Sequence, residues 1–215
     1  MARKTKAEAE KTRQLLIEAA IEQFAAHGVA NTTLTHIAEA ACLTRGAVYW
    51  HFASKADIFN AIWQDQCPLH DIVQNRLLLV DTDNPLLLLR EQFVTALQYI
   101  AQDQRQRMLL QILYHKCEFD QGMVSEYEIR ERIGFNYDNV REMLQKCIAL
   151  GVVSSRLNIE TTLIVFHCFF CGLIKNWLMS PERVDLYKQA PELVDNILAT
   201  LPAVPATERV YDAAS

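Results

Sequence analysis

Residues 33–52, TLTHIAEAACLTRGAVYWHF, decide the fold of this chain. They read as a helix, a three-residue turn and a second helix. Ile37, Ala38 and Ala41 share a face of the first helix, and the small pair Ala40–Ala41 lets the second approach closely. Thr44 is placed to cap the second helix, its hydroxyl accepting a hydrogen bond from a free backbone N–H two or three residues on. Arg45, Gly46 and Ala47 then stand at a helix N-terminus, where the dipole and unpaired N–H groups favour phosphate. Tyr49, Trp50 and His51 follow, with Lys55 four residues later. Donors and aromatics around a small-residue helix tip suit insertion into a DNA major groove. Two packed helices joined by a short turn also occur as plain structure, so the residue types at the tip carry the reading.

Outward from this stretch, the charge is divided. The net charge of −5 is unusual for a protein that meets DNA. Residues 1–55, however, hold seven basic and five acidic side chains, and the remainder holds 14 and 21. A basic head on an acidic body orients the molecule on a polyanion and discourages contact elsewhere. The 215 residues suffice for a small domain plus a larger one, and 51% of them are hydrophobic. Six glycines and six prolines favour long helices over a turn-rich β fold. No unbroken apolar run reaches the roughly 18 residues of a membrane span. The polar start, with Arg3, Lys4 and Lys6, leads into no apolar segment. A cytoplasmic protein without membrane contact is expected, with its six cysteines reduced.

The periodicity predicts a first helix over about 7–27, with Thr5 and Glu8 at capping-box spacing and a stripe of Leu15, Leu16, Ala19, Ala20, Gln23 and Phe24. Gly28 ends it. A helix from Ser54 or Lys55 carries Ile58, Phe59, Ile62 and Trp63, and Pro68 breaks it. DTDNP at 81–85 marks a boundary, with Asn84 as cap and Pro85 at the first helical position. Further helices are expected over 86–101, 105–119 and 125–150, the last ended by Gly151. Residues 159–179 are apolar nearly all round, so that helix buries more than one face. Pro191 is expected to start a last helix, 191–201, and the chain then frays. The fold class is all-α: a helix-turn-helix domain over 1–55, a larger helical domain over 56–201 and a tail over 202–215.

The motif helices, the start MARKTKAEAEKTRQ, the run TRGAVYWHFASKADIF, HKCEF at 115–119 and GLIKNWLMSPERVDLYKQAP at 172–191 resemble the TetR/AcrR family of transcriptional repressors, in particular its efflux-pump repressors. The resemblance covers most of residues 1–200 and implies a DNA-binding repressor. By it, Arg45, Gly46 and Ala47 face bases, while Thr33, Tyr49, His51 and Lys55 hold phosphates. Thr44 and Trp50 belong to the same surface, though the Trp50 ring also suits packing between helices, and Phe52 reads as core. The family usually has glycine in the turn where this chain has Cys42, which costs energy if that residue has positive φ. The resemblance also implies a pocket for a small hydrophobic ligand, lined by Trp63, Cys67, Phe93, Tyr114, Cys117, Phe135, Met143 and Phe169. Relatives of this kind often carry an acidic residue where Cys67 stands. A homodimer on a pseudo-palindromic double-stranded operator is implied as well, and no cofactor or metal.

Residues 159–179 and 191–201 are expected to form the dimer contact, through Phe166, Phe170, Ile174, Trp177, Leu193 and Ile197. A helix apolar around most of its circumference has more surface than one internal core shelters. Two other clusters invite chemistry. His115 and Cys117 lie two apart and so point to nearly opposite sides of a helix, which argues against a nucleophile–base pair. His167, Cys168 and Cys171 offer three zinc ligands with no close second pair, and read as small buried apolar groups. A thiol redox-sensing regulator using Cys168 and Cys171 is the alternative function.

Overall fold

The computed structural model describes residues 6–64, 66–77, 82–133 and 136–204, and of residues 131–133 the backbone alone. In chain order the helices are α1 (Lys6–His27), α2 (Leu34–Ala40), α3 (Arg45–His51), α4 (Lys55–Gln64), α5 (Leu69–Leu77), α6 (Pro85–Gln102), α7 (Gln104–Gln111), α8 (Glu126–Ile133), α9 (Tyr137–Ala149), α10 (Ile159–Met179) and α11 (Leu186–Leu198). A π-helical segment, Ile112–Lys116, continues α7, and a 3-10 turn, Pro181–Arg183, precedes α11. No strand occurs among the described residues, as the all-α expectation requires.

The chain forms two compact units. One joins residues 1–67 to 104–132; the other joins 68–103 to 133–215. A boundary at 55/56 therefore does not describe the packing. Ile58, Phe59, Ile62 and Trp63 of α4 are buried, and Phe59 meets Phe24 of α1 with ring centroids 6.5 Å apart. Segment 104–132 joins the same core: Phe119 packs edge-on to Phe59 at 5.9 Å. Asn60 clasps the following loop by donating to the Gly122 carbonyl and accepting from the Val124 N–H.

In the first unit α1 buries Leu16, Ile17, Ala20, Ile21 and Phe24, while Leu15 is exposed and does not belong to the stripe. Gly28, at φ +84°, ends the helix with the left-handed turn that glycine tolerates. Thr5 lies outside the described residues. Residues 105–119 do not form one α-helix, because the π segment replaces the last turn and the chain becomes extended at Cys117.

In the second unit Asn84 accepts from the N–H groups of Leu86 and Leu87, and Pro85 opens α6. The expected long helix over 125–150 is two. Asn136 caps α9 by accepting from Asn139 N–H, and a local side-chain acceptor of this kind starts a helix rather than continuing one. The last helix begins at Leu186, not Pro191, with Asp185 as its cap. Pro191 lies inside it and supplies no N–H to the carbonyl of Tyr187. The Gln98 side chain of α6 donates to that carbonyl instead, at 3.2 Å. Arg90 of α6 forms a bidentate pair with Asp195 of α11 at 2.6 and 2.9 Å.

Helix α10 corrects two expectations. By length and composition it is long and apolar enough to cross a membrane, although charges and polar groups interrupt its sequence. Its inner face is Leu163, Phe166, Phe170, Trp177 and Leu178. Phe93 packs against Phe166 at 5.7 Å and Phe170 at 4.4 Å, and Trp177 donates to the Val184 carbonyl. Phe166, Phe170 and Trp177 are thus buried within the protomer, on the one face of α10 that the 3.6-residue repeat gathers, and Ile197 is buried on α11, so none of the four is exposed for a dimer contact. Ile174 and Leu193 are half-buried. The outward apolar residues are Ile164, 60% exposed, and Val165, 45% exposed, with Met179 at the helix end.

Candidate nucleic-acid interface

The recognition surface is built by caps. Thr33 accepts from His36 N–H while His36 Nδ1 accepts from Thr33 N–H, a reciprocal capping box that starts α2. Sequence reading missed the histidine half, because the usual third-position partner is Glu or Gln. Ala41 closes α2, and Cys42 turns the chain at φ +54°. Thr44 then caps α3 by accepting from Ala47 N–H at 3.3 Å. Asp57 accepts from the N–H groups of Ala53 and Ser54, and Ser54 from that of Asp57, so the turn into α4 is also held. The Ser54–Asp57 spacing spells this box in the sequence.

Helix α3 buries Val48 and presents its other side to solvent. Arg45, Gly46, Tyr49 and Trp50 are exposed, Trp50 by 72%. Its ring stands edge-on to His51 and does not pack between helices. The Arg45 guanidinium lies 5.3 Å from the Tyr49 ring centroid and donates to its hydroxyl at 3.3 Å. This pre-orders a long side chain at the helix tip. Phe52 is buried as expected, beneath the Arg13 guanidinium of α1, 5.6 Å from its ring centroid. No pattern in the sequence pointed to Arg13.

Lys55 departs from its expected role. Its ammonium donates to the carbonyls of Val29 at 2.6 Å and Ala30 at 3.1 Å. Those acceptors close the turn after α1, so the charge anchors α4 to that turn rather than facing outward to a phosphate.

The expected ligand residues are shared between the two units. Trp63 is buried against Phe59 in the first unit, where Cys67 is exposed, Tyr114 stacks beneath Arg130 and Cys117 lines a polar cleft of about 270 Å³. Phe93, Met143 and Phe169 belong to the second unit, and Phe169 packs edge-on to Phe170. Phe135 lies outside the described residues. Burial, with Glu126 and Glu118 nearby, pushes the Cys117 thiol up to about 11, so it is protonated at neutral pH. Burial likewise raises Cys147 to about 11. All six cysteines are free thiols. Cys168 is exposed rather than buried, and Cys171 sits 3.5 Å from His167 Nε2 with Tyr137 stacked on that imidazole. Among the described residues no three His, Cys, Asp or Glu side chains are placed to hold a metal ion.

A capped helix pair, with an exposed cationic and aromatic tip carried on α1 and α4, defines a helix-turn-helix DNA-binding protein with a second helical unit. Residues 16–62 match the bacterial regulatory proteins of the tetR family, and residues 84–202 match the C-terminal region of MAATS-type transcriptional repressors. The chain belongs to the TetR family and is a DNA-binding transcriptional repressor. It is 51% identical to the probable acrEF/envCD operon repressor of Escherichia coli K12, over 92% of this chain and 90% of that one. Its fold is similar to the crystal structure of NalD, the secondary repressor of the MexAB-OprM multidrug efflux pump in Pseudomonas aeruginosa. That similarity has a TM-score of 0.71 and 29% identity, over 92% of this chain and 98% of that one. It is also similar to SmeT, the repressor of the Stenotrophomonas maltophilia efflux pump SmeDEF, in its complex with triclosan. There the TM-score is 0.70 and the identity 26%, over 89% and 92% of the two chains.

Proposed function

We propose that this repressor controls an operon encoding a multidrug efflux pump and leaves its operator when a small hydrophobic compound binds. The 51% identity to the probable acrEF/envCD operon repressor over nearly the whole chain, beside the fold similarity to repressors of multidrug efflux pumps, carries the reading. It acts without catalysis, in the cytoplasm, as a homodimer on a pseudo-palindromic operator. Arg45, Gly46 and Ala47 read bases; Thr33, Tyr49 and His51 hold phosphates; Trp50 adds an exposed aromatic face; and Thr44 orients the helix. The ligand is received in the second unit, with Phe93, Met143 and Phe169 among its walls, because most of the matched C-terminal repressor region, 84–103 and 133–202, lies there. The exposed Ile164 and Val165 meet the second copy.

The test is titration of operator duplex with purified protein, with and without a panel of dyes, bile salts and antibiotics, beside transcript levels of pump genes in a deletion strain. Specific binding, released by at least one compound, and derepression of pump genes are expected. Operator binding unmoved by every compound, or unchanged pump transcripts, would overturn the proposal.

A further inference from the structure

The chain passes between its two compact units at 67/68, 103/104 and 132/133. Two of these crossings are tied together by one side chain. Arg105, the second residue of α7, donates through Nη1 to Gln66 Oε1 at 2.6 Å. Gln66 is oriented by its own donation to the Ile62 carbonyl of α4. The other edge of the same guanidinium grips Glu18 in the middle of α1, Nε to both carboxylate oxygens and Nη2 to one, at 3.0–3.1 Å. One planar fork thus fixes the end of α4, the start of α7 and α1, and a lysine ammonium lacks the geometry to do all three.

The consequence follows from connectivity. Helix α4 begins four residues after the recognition helix ends, and its first residue is bound to the turn after α1. Its far end is held through Gln66 and Arg105. Asp103 caps the end of α6, so a change in the last turn of α6 reaches Arg105 within two residues of chain. The side chains of Arg105 and Glu18 are 40% and 47% exposed. Pairs this open contribute little to stability, so a stabilising role alone gives a poor account of such specific geometry.

We infer that Arg105 is a positioning residue that couples the second unit to operator recognition, by pinning the 67/68 and 103/104 crossings to each other and to α1. Its partners are Glu18 and Gln66, outside the recognition helix. Its coupling to a ligand rests on the proposed function above; its coupling to DNA does not.

The test uses full-length protein well below its melting temperature. The probes are a duplex enriched by the wild type from a random-sequence pool, and poly(dI-dC) as non-specific DNA. For Arg105→Ala the affinity for the enriched duplex is expected to fall about tenfold, in the usual range of site-to-site coupling, with non-specific affinity within about twofold of wild type. Glu18→Gln, which removes the carboxylate and no cation, should reproduce that loss. Arg105→Lys should fall between, and these two variants carry the test if Arg105→Ala does not fold. Folded variants with wild-type specific affinity, or an equal loss on both DNAs, would overturn the inference. A second arm adds triclosan, with binding followed by calorimetry. In wild type it is expected to bind and release the duplex; in Arg105→Ala it should bind equally well and release less. If triclosan leaves wild type on DNA, the ligand reading fails for that compound, and the first arm still decides Arg105.

Discussion

Arg45 is the side chain on which specificity should depend most. Its guanidinium stands exposed at the tip of α3 and is already ordered by Tyr49. Arg45→Ala is expected to weaken operator binding by about 1–3 kcal/mol and to relax one base preference if the partner is guanine. Affinity across a set of single-base operator variants checks this; a uniform loss would assign Arg45 to the backbone instead. Cys42 offers the opposite prediction. A non-glycine residue at φ +54° is strained, so Cys42→Gly is expected to raise stability by up to about 1 kcal/mol, less the entropy glycine adds to the unfolded chain. Thermal melting measures it, with operator affinity expected to stay unchanged. Both residues were legible in the sequence, since local caps and turns are specified within a few positions. The work of Lys55 was not, because its acceptors are carbonyls 25 and 26 residues away. Only the fold brings them within reach of its ammonium.

Between elements, the junction of α6 with α11 carries two predictions. Pro191 deprives the Tyr187 carbonyl of its helical donor, and Gln98 supplies one from α6. Gln98→Ala is expected to cost about 1 kcal/mol, the usual net value of such a bond. In a Pro191→Ala background, where residue 191 regains an N–H, the same change should cost less; equal costs in a double-mutant cycle would refute the compensation. Nearby, the Arg90 guanidinium holds the Asp195 carboxyl below the usual carboxylate range. A carboxylate depressed by folding stabilises above its unfolded value and loses that contribution as the pH falls. The melting-temperature gap between wild type and Asp195→Asn should therefore shrink as pH is lowered from 7 to about 3, through the ordinary titration near 4. Proline at 191 pointed the sequence reading to a helix start, which is its commonest helical position. The tertiary acceptor swap that permits it inside a helix has no local signature.

At the scale of the whole molecule, the unpartnered feature is the outer side of α10, where Ile164 and Val165 stand exposed. Ile164→Glu together with Val165→Glu is expected to yield folded monomers with reduced operator affinity, measured by sedimentation and DNA titration. A wild type that sediments as a monomer at micromolar concentration would contradict the proposed dimer. Phe170→Glu is a different experiment, since Phe170 packs on Phe93, and it should unfold the second unit. The sequence by itself determined the all-α class, the capped helix-turn-helix and the basic head, because each depends on periodicity, caps and charge within a short span, and it carried the family through the resemblance of its motifs. It also placed the starts of α4, α6 and α10 within a residue or so. Only the tertiary structure decided which side of α10 is core, where a helix apolar all round carries no label for its inner face. Only it decided that 104–132 joins the DNA-binding unit, through Phe119 on Phe59, Asn60 on its loop and Arg105 on Glu18. Those contacts pair residues tens of positions apart, and their partners are chosen by packing, which no local pattern records.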